Sequence, residues 1–364
     1  MSDEAEGVPG EGGGSRRWME LPRHLRAVHG REAFVETVAD VADLLGLAEC
    51  CVVVGRGPSR DLAPDVRRAL GGTTQVVVRD NTAADVAALT DNAAFAQADG
   101  IIALGGGRTI DVAKAAALVV DRPLVSCPTQ LATDGIASPV AVTIDARARA
   151  RSGPGRLPAA VVCDLEMAAS APLAATRAGV GDAIANLTAL HDWERAVRSG
   201  HEQRDDFAAL LARAAADLVL ASDVSSLEFG PPAPELIGRL LEALVLSGLA
   251  MEIAGSSLPC SGAEHLISHS MDRIVPGTAL HGEQVAFGTL VAAHLQGQDW
   301  QPLRERFLVA GMEPVLAGFG LPEDTLREVI RRAPDTRPAR RTVLDHLEHD
   351  DAALSRLLGE LVLG

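Results

Sequence analysis

Three histidines fall within 17 residues in the stretch SGAEHLISHSMDRIVPGTALHGEQ, residues 261–284: His265, His269 and His281. His265 and His269 are four apart and share one face of a helix, whereas His281 opens the next helical run beyond the turn IVPGT. Two imidazoles and one carboxylate, with a coordination position left open, form a catalytic site for a divalent metal, Zn(II) or Fe(II). A lone histidine on an apolar face is usually a packed core residue. Two in GAEHLISH and a third in LHGEQ weigh against that, with one of the three free to stand just outside the coordination sphere. For the carboxylate, Asp182 in AGVGDAIANLTALHDW follows two glycines and leads into an apolar run, so it reads as a helix N-cap or as a metal ligand.

A second chemistry is written in GIIALGGGRTIDVAK, residues 100–114: a strand, the turn Gly105, Gly106 and Gly107, and then a helix start. Three glycines let backbone approach a ligand with no Cβ in the way, and the first amides of the helix then point at an anion such as a pyrophosphate. Asp111 is placed in the first helical turn and Lys114 one turn along. Lys114 is the single lysine beside 32 arginines in the 33 basic residues, which suggests a point ammonium at the phosphate turn. Asp80, ending TQVVVRD, stands where a carboxylate receives the adenosine ribose hydroxyl, but its neighbour Arg79 suits a 2′-phosphate equally, so NAD and NADP both remain open. Thr129 and Asp134 in PTQLATDGIASP lie on a loop at the carboxyl end of the next strand, the edge where open α/β sheets bind ligands. Taken alone, Asp134 reads more simply as a turn carboxylate capping its own backbone.

The elements that must position these residues change character midway along the 364-residue chain. CCVVVG (50–55), TQVVV (74–78), GIIALGGG (100–107) and RPLVSCP (122–128) are short β-rich runs separated by stretches of helical spacing, the signature of a doubly wound parallel sheet. SPVAVTID (138–145) and AAVVCDL (159–165) are expected to add a strand pair around the turn RARARSGPGRLP. Beyond AASAPLAA, residues 172–198, 205–222, 235–255, 261–275, 281–297 and 322–332 carry apolar residues at helical spacing, which predicts a helical bundle. The expected organisation is a flexible tail over 1–17, a dinucleotide-binding α/β domain over 18–171 and an all-α domain over 172–364, with the ligand cleft between the two domains.

Bulk properties exclude several classes of partner. A formal charge of -16 repels nucleic acid and anionic membrane surfaces, and no 18-residue apolar, charge-free run is present. Five cysteines without a CxxC pair fit reduced thiols, and the acidic, glycine-rich start lacks a signal-peptide pattern, so a soluble cytoplasmic protein with a small-molecule substrate is expected.

GGGRTIDVAK, PTQLATDGIASP, AGVGDAIANLTALHDW, SGAEHLISHSMD and LHGEQVAFGT occur in this order and together resemble the sn-glycerol-1-phosphate dehydrogenases. These belong to the superfamily of metal-dependent polyol dehydrogenases that includes glycerol dehydrogenase and dehydroquinate synthase. The resemblance covers about residues 20–330. It implies a dehydroquinate synthase-like fold, a Rossmann-like α/β domain followed by an all-α domain; a homo-oligomer is expected.

It also implies that Asp182, His265 and His281 bind one divalent metal, Zn(II) ahead of Fe(II) or Ni(II), and that His269 acts as proton relay or substrate contact. The glycine turn would hold the pyrophosphate of NAD or NADP, Thr129 would touch the nicotinamide end and Asp134 would face the substrate. The implied reaction is hydride transfer to a small ketone such as dihydroxyacetone phosphate. Two departures bear on the substrate: Leu258 stands where the family reads arginine in SSRPxSG, and Ala132 where it reads serine. Leucine cannot pair a phosphate, and Arg177 and Arg273, flanking the metal motifs, are the candidates to compensate. Two alternatives are a sugar-phosphate cyclase of the dehydroquinate synthase kind, which the shortage of lysines disfavours, and a non-catalytic nucleotide-binding homologue.

Overall fold

The computed structural model describes residues 24–145, 150–346 and 351–361. The tail expected to be flexible, 1–17, lies outside them, as do residues 147–149 of the RARARSGPGRLP turn. The strands are β1 (His24–Val28), β2 (Cys50–Val54), β3 (Thr74–Val77), β4 (Gly100–Gly105), β5 (Leu124–Pro128), β6 (Val140–Ile144), β7 (Ala150–Pro154) and β8 (Ala160–Asp164). Six of them form one parallel sheet in the order β1-β8-β5-β4-β2-β3, and β6 pairs with β7 in a separate antiparallel hairpin. Every residue of β2, β4, β5 and β8 is buried, which is why these strands read as continuous apolar runs and not as alternating ones.

The sheet carries α1 (Arg31–Leu44), α2 (Ser59–Ala69), α3 (Ala83–Thr90), α4 (Ala93–Gln97), α5 (Gly107–Val119) and α6 (Leu165–Ala169). Helices alone follow: α7 (Leu173–Ile184), α8 (Asn186–Arg198), α9 (Asp206–Leu220), α10 (Pro234–Ala254), α11 (Ala263–Ile274), α12 (His281–Leu295), α13 (Gln301–Val309), α14 (Glu313–Leu316), α15 (Glu323–Arg332) and α16 (Asp351–Leu361). The chain is thus an α/β parallel-sheet half followed by a helical half, as expected. Ile110 and Val112 of α5, Leu131, Ile184 and Leu240 belong to one apolar cluster, so the core runs unbroken from one face of the sheet into the helices. No helix among the described residues is long and apolar enough to cross a membrane.

Two expectations need correction. SPVAVTID and AAVVCDL do not pair: β6 turns back on β7, which lies inside the segment read as a turn, and β8 enters the main sheet between β5 and β1. β7 (ARSGP) is largely solvent-facing, so it needs no apolar alternation and left no pattern to read. The helical run expected over 172–198 is divided into α7 and α8 only by Ala185, whose backbone stays in the right-handed helical region and keeps its bonds to the Gly181 carbonyl and from the Ala189 amide. Asp182 is therefore in the last turn of α7 and is not an N-cap.

Two helices touch backbone to backbone at the point that matters most for the site. A Cβ on Gly181 of α7 would lie 2.2 Å from the Gly282 carbonyl oxygen, and one on Gly282 of α12 would lie 1.9 Å from that of Ala178. Only glycine permits that approach. The residues next in sequence, Asp182 and His281, are thereby brought together.

Candidate active site

Asp182, His265 and His281 come from α7, α11 and the first residue of α12, and one ligand atom from each lies within 4.8 Å of the other two. Asp182 Oδ1 is 3.6 Å from His265 Nε2 and 3.9 Å from His281 Nε2. Its second oxygen, Oδ2, accepts the backbone N–H of Asp134 at 2.8 Å, which fixes the carboxylate plane. The carboxylate and His265 are almost fully buried, and His281 is open to the cleft.

Surrounding hydrogen bonds aim both imidazoles. Glu264 Oε1 sits 3.0 Å from His265 Nδ1. A carboxylate can only accept, so Nδ1 carries the proton and Nε2 is left as the ligand. Ser268 Oγ donates to Gln284 Oε1 at 2.8 Å and therefore accepts from His281 Nδ1 at 3.0 Å, again freeing Nε2. Gln284 is held in turn by donating to Asp272 Oδ1 at 2.9 Å. This outer layer of Glu264, Ser268, Gln284 and Asp272 was missed in the sequence, although all four residues lie within the histidine stretch. Nothing in spacing says which polar neighbour faces a ring nitrogen. The donor set fits a divalent cation: one carboxylate and two Nε2 lone pairs converge, and partners that fix the tautomer stand behind both rings.

Charge follows the geometry. Burial would raise the Asp182 carboxyl, but the hydrogen bond and charge of His265, the charge of His281 and the Asp134 amide hold it below the usual carboxylate range. Burial lowers His265, yet its bonds to Asp182 and Glu264 prevail and bring it to about 9. Burial and the charge of His265 hold His281 below its ordinary value. Burial and the neighbouring Asp182 carboxylate push Asp134 up to about 8, so it carries a proton at neutral pH. His269 lies outside the ligand triad, its ring centroid 6.5 Å from that of His265 and 6.1 Å from that of His281, and burial with the Arg337 charge keeps it well below its ordinary value.

All three histidines and Asp134 line a cleft of about 550 Å³ that also contains Gly107 and Arg108 at the start of α5. A larger surface depression of about 810 Å³ beside Trp193 and Leu258 contains none of the ligand triad and shares Arg337 with the cleft. The glycine turn opens α5 with Gly106 as N-cap and no side-chain cap, leaving its first amides available to an anion. Each glycine has its own reason. A Cβ on Gly105 would press on Thr109 at 2.9 Å and one on Gly106 on Gln130 at 3.1 Å, whereas one on Gly107 would meet nothing within 4 Å and would fill ligand space. Thr129 sits against this turn, its amide donating to the Gly105 carbonyl at 3.0 Å. Asp80 and Arg79 are exposed beyond the end of β3, on the same carboxyl edge of the sheet.

Lys114 and Asp111 sit differently from expectation. The Lys114 ammonium is fully buried, donating to the carbonyls of Gly135 (2.6 Å) and Val140 and lying 3.5 Å from Asp111 Oδ1. It ties the Asp134 loop to the β6–β7 hairpin. Asp111 falls past the first turn of α5 and accepts the Val142 amide; burial, partly offset by Lys114, raises its carboxyl to about 6. Arg177 is also removed from the substrate question, because its guanidinium donates to the carbonyls of Leu227, Glu228 and Ala310. Leu258 belongs to an apolar cluster with Trp193, Ala208 and Ile253 and lines the depression beside Trp193, not the cleft.

The family model of iron-containing alcohol dehydrogenases matches residues 30–172. A glycerol-1-phosphate dehydrogenase (NAD(P)+) from Methanothrix thermoacetophila is 37% identical over 335 residues, covering 91% of this chain and 93% of that protein. The chain belongs to the glycerol-1-phosphate dehydrogenase family. A relative of the same name from Pyrococcus furiosus is 36% identical over 330 residues, 90% of this chain and 93% of its own length. Among solved structures, a probable glycerol dehydrogenase from Sinorhizobium meliloti superposes with a TM-score of 0.75 at 24% identity, covering 96% of this chain and 98% of that one. That likeness identifies the fold as the one shared with glycerol dehydrogenases. This is a family of dehydrogenases in which NAD(P) and a metal belong to the description, so the cleft described above is one that family membership leads one to expect.

Proposed function

We propose that the protein is a metal-dependent NAD(P)H oxidoreductase that reduces dihydroxyacetone phosphate to sn-glycerol 1-phosphate. The observation that carries this reading is the convergence of Asp182, His265 and His281 on one point of the cleft that also contains the open space at Gly107. A divalent ion at the triad would act as Lewis acid toward a ketone oxygen, and NAD(P)H at the glycine turn would supply hydride to the carbonyl carbon. Zn(II) is the ion we assign, since three N/O donors with a fourth position open is its catalytic arrangement.

The chain's own residues supply alignment and a proton. Reduction consumes one hydride and one proton. The Asp134 carboxyl, protonated at neutral pH and anchored by its amide to Asp182, holds a proton at the cleft wall. His269, neutral and beside both ligand imidazoles, is placed to accept a hydrogen bond from a substrate hydroxyl. Val140, Val142 and Met251 line the same cleft and restrict water. Lys114 supports the reading from outside: with its ammonium bound to two carbonyls, it is not available as the active-site base a cyclase would need. We further take the protein to work as a homo-oligomer in a reducing cytoplasm, where its five buried free cysteines stay thiols.

The test is NADH oxidation by zinc-loaded protein presented with dihydroxyacetone phosphate, with the product's configuration read by enzymes selective for the 3-phosphate enantiomer. Oxidation yielding product those enzymes refuse is the expected result. No oxidation with either NADH or NADPH rejects the proposal. Metal analysis of protein purified without chelator, together with its sedimentation, tests the zinc and oligomer assignments.

A further inference from the structure

The segment following α15 delivers two arginines to the wall of the cleft. Arg337 donates to Ser152 Oγ of β7 at 2.8 Å and approaches Ser257 Oγ at 3.4 Å, while Arg340 donates to the same Ser257 Oγ and to the Ser261 carbonyl, each at 2.8 Å. Arg337, Ser152 and Ser257 all line the cleft of the ligand triad. His265, His269 and His281 line the same cleft as Arg337.

Among the described residues no carboxylate forms an ion pair with Arg337, although the chain carries 49 acidic groups. Burial and the like charge of Arg340 lower its guanidinium to about 10. A half-buried cation of this kind, with hydroxyls as its only partners, lacks an anion. Ser257 accepts from both arginines, so its own O–H remains free to donate into the cleft. Arg273 supports the arrangement from α11 by donating to the carbonyls of Asp335 and Thr336, immediately before Arg337.

We infer that Arg337, with Ser257 and Ser152, forms the subsite for the phosphate of the ketone substrate. Its planar fork suits two phosphate oxygens at once, and it supplies from the C-terminal region the charge that Leu258, turned toward Trp193, cannot. The inference rests on the phosphorylated ketone proposed above and says which residue selects it.

The experiment uses zinc-loaded full-length protein saturated with NADH, so that the pyrophosphate site is already filled. Dihydroxyacetone phosphate is compared with unphosphorylated dihydroxyacetone. Arg337→Gln is expected to lower kcat/KM for the phosphorylated ketone by about 10- to 150-fold, mainly through KM, against at most about threefold for the other. Inorganic phosphate should compete with dihydroxyacetone phosphate in the parent enzyme and not in the variant. Equal losses on both ketones, or undiminished competition by phosphate in the variant, overturn the inference. Arg337→Lys keeps the charge and serves if the glutamine variant does not fold; a loss confined to the phosphorylated ketone is expected and an equal loss on both refutes it. If the parent reduces neither ketone, the proposed function fails by itself, and equilibrium dialysis of inorganic phosphate with NADH-saturated parent and variant still decides Arg337: retention of phosphate by the variant refutes the subsite.

Discussion

Metal binding should titrate with His265. In the metal-free protein its imidazole holds a proton up to about pH 9, because the bonds to Asp182 and Glu264 outweigh burial. Asp182 is ionised and His281 neutral across the neutral range, so neither has a proton to lose when a cation arrives. The proton competes with the metal by a factor of about two at pH 9 and by about tenfold more for each further unit below pH 8, so affinity falls about 50-fold between pH 9 and pH 7, or roughly 2.3 kcal/mol. Asp134, raised to about 8, is the other group that titrates at the site, and Asp134→Asn removes it.

The measurement is chelator-buffered zinc or cobalt titration of Asp134→Asn at pH 7, 8 and 9, with proton release read by calorimetry in two buffers of different ionisation enthalpy. One proton released per metal at pH 7, falling toward a half at pH 9, is expected. Stability has the matching sign. The folded-state value of His265 lies above its ordinary 6.5, so its contribution to the metal-free fold is complete below pH 6.5 and lost as pH rises through 9. The Tm of the metal-free variant should fall over that window while the zinc-loaded form stays level. Affinity independent of pH between 7 and 9 would refute the assignment of His265 as a ligand held protonated by two carboxylates.

Glu264→Gln removes the charge behind His265 Nδ1 and should weaken zinc binding about 10- to 100-fold in the same titration, with NADH affinity by fluorescence unchanged. Gly107→Val places a side chain where the protein itself offers no contact within 4 Å, so Tm should hold within about 0.5 kcal/mol of stability while NADH binding is lost; retained binding would move the cofactor elsewhere. Lys114→Met leaves the carbonyls of Gly135 and Val140 without a donor and should cost about 2–4 kcal/mol in denaturant unfolding, with kcat reduced and NADH affinity little altered. A selective loss of NADH affinity would return Lys114 to the cofactor.

Sequence alone determined whatever depends on chain-local pattern. Fully buried parallel strands write themselves as CCVVV or GIIAL, and helices as 3.6-residue periodicity, so the α/β half, the helical half and the glycine-turn helix start were all legible. So was the set Asp182, His265 and His281, because motif order and residue type together restrict the chemistry, although their roles remain proposals that the titration above must decide. What the tertiary structure decided is direction. Lys114 and Arg337 differ from Arg177 not in kind but in what lies opposite: two carbonyls under a loop, a cleft with hydroxyls, three carbonyls between helices. Ser257 and Leu258 are adjacent in sequence yet face different cavities. Side-chain partners separated by 80 to 185 positions, such as Arg337 with Ser257 and Ser152, leave no periodic trace, since the chain satisfies them only once its helices and hairpin have packed.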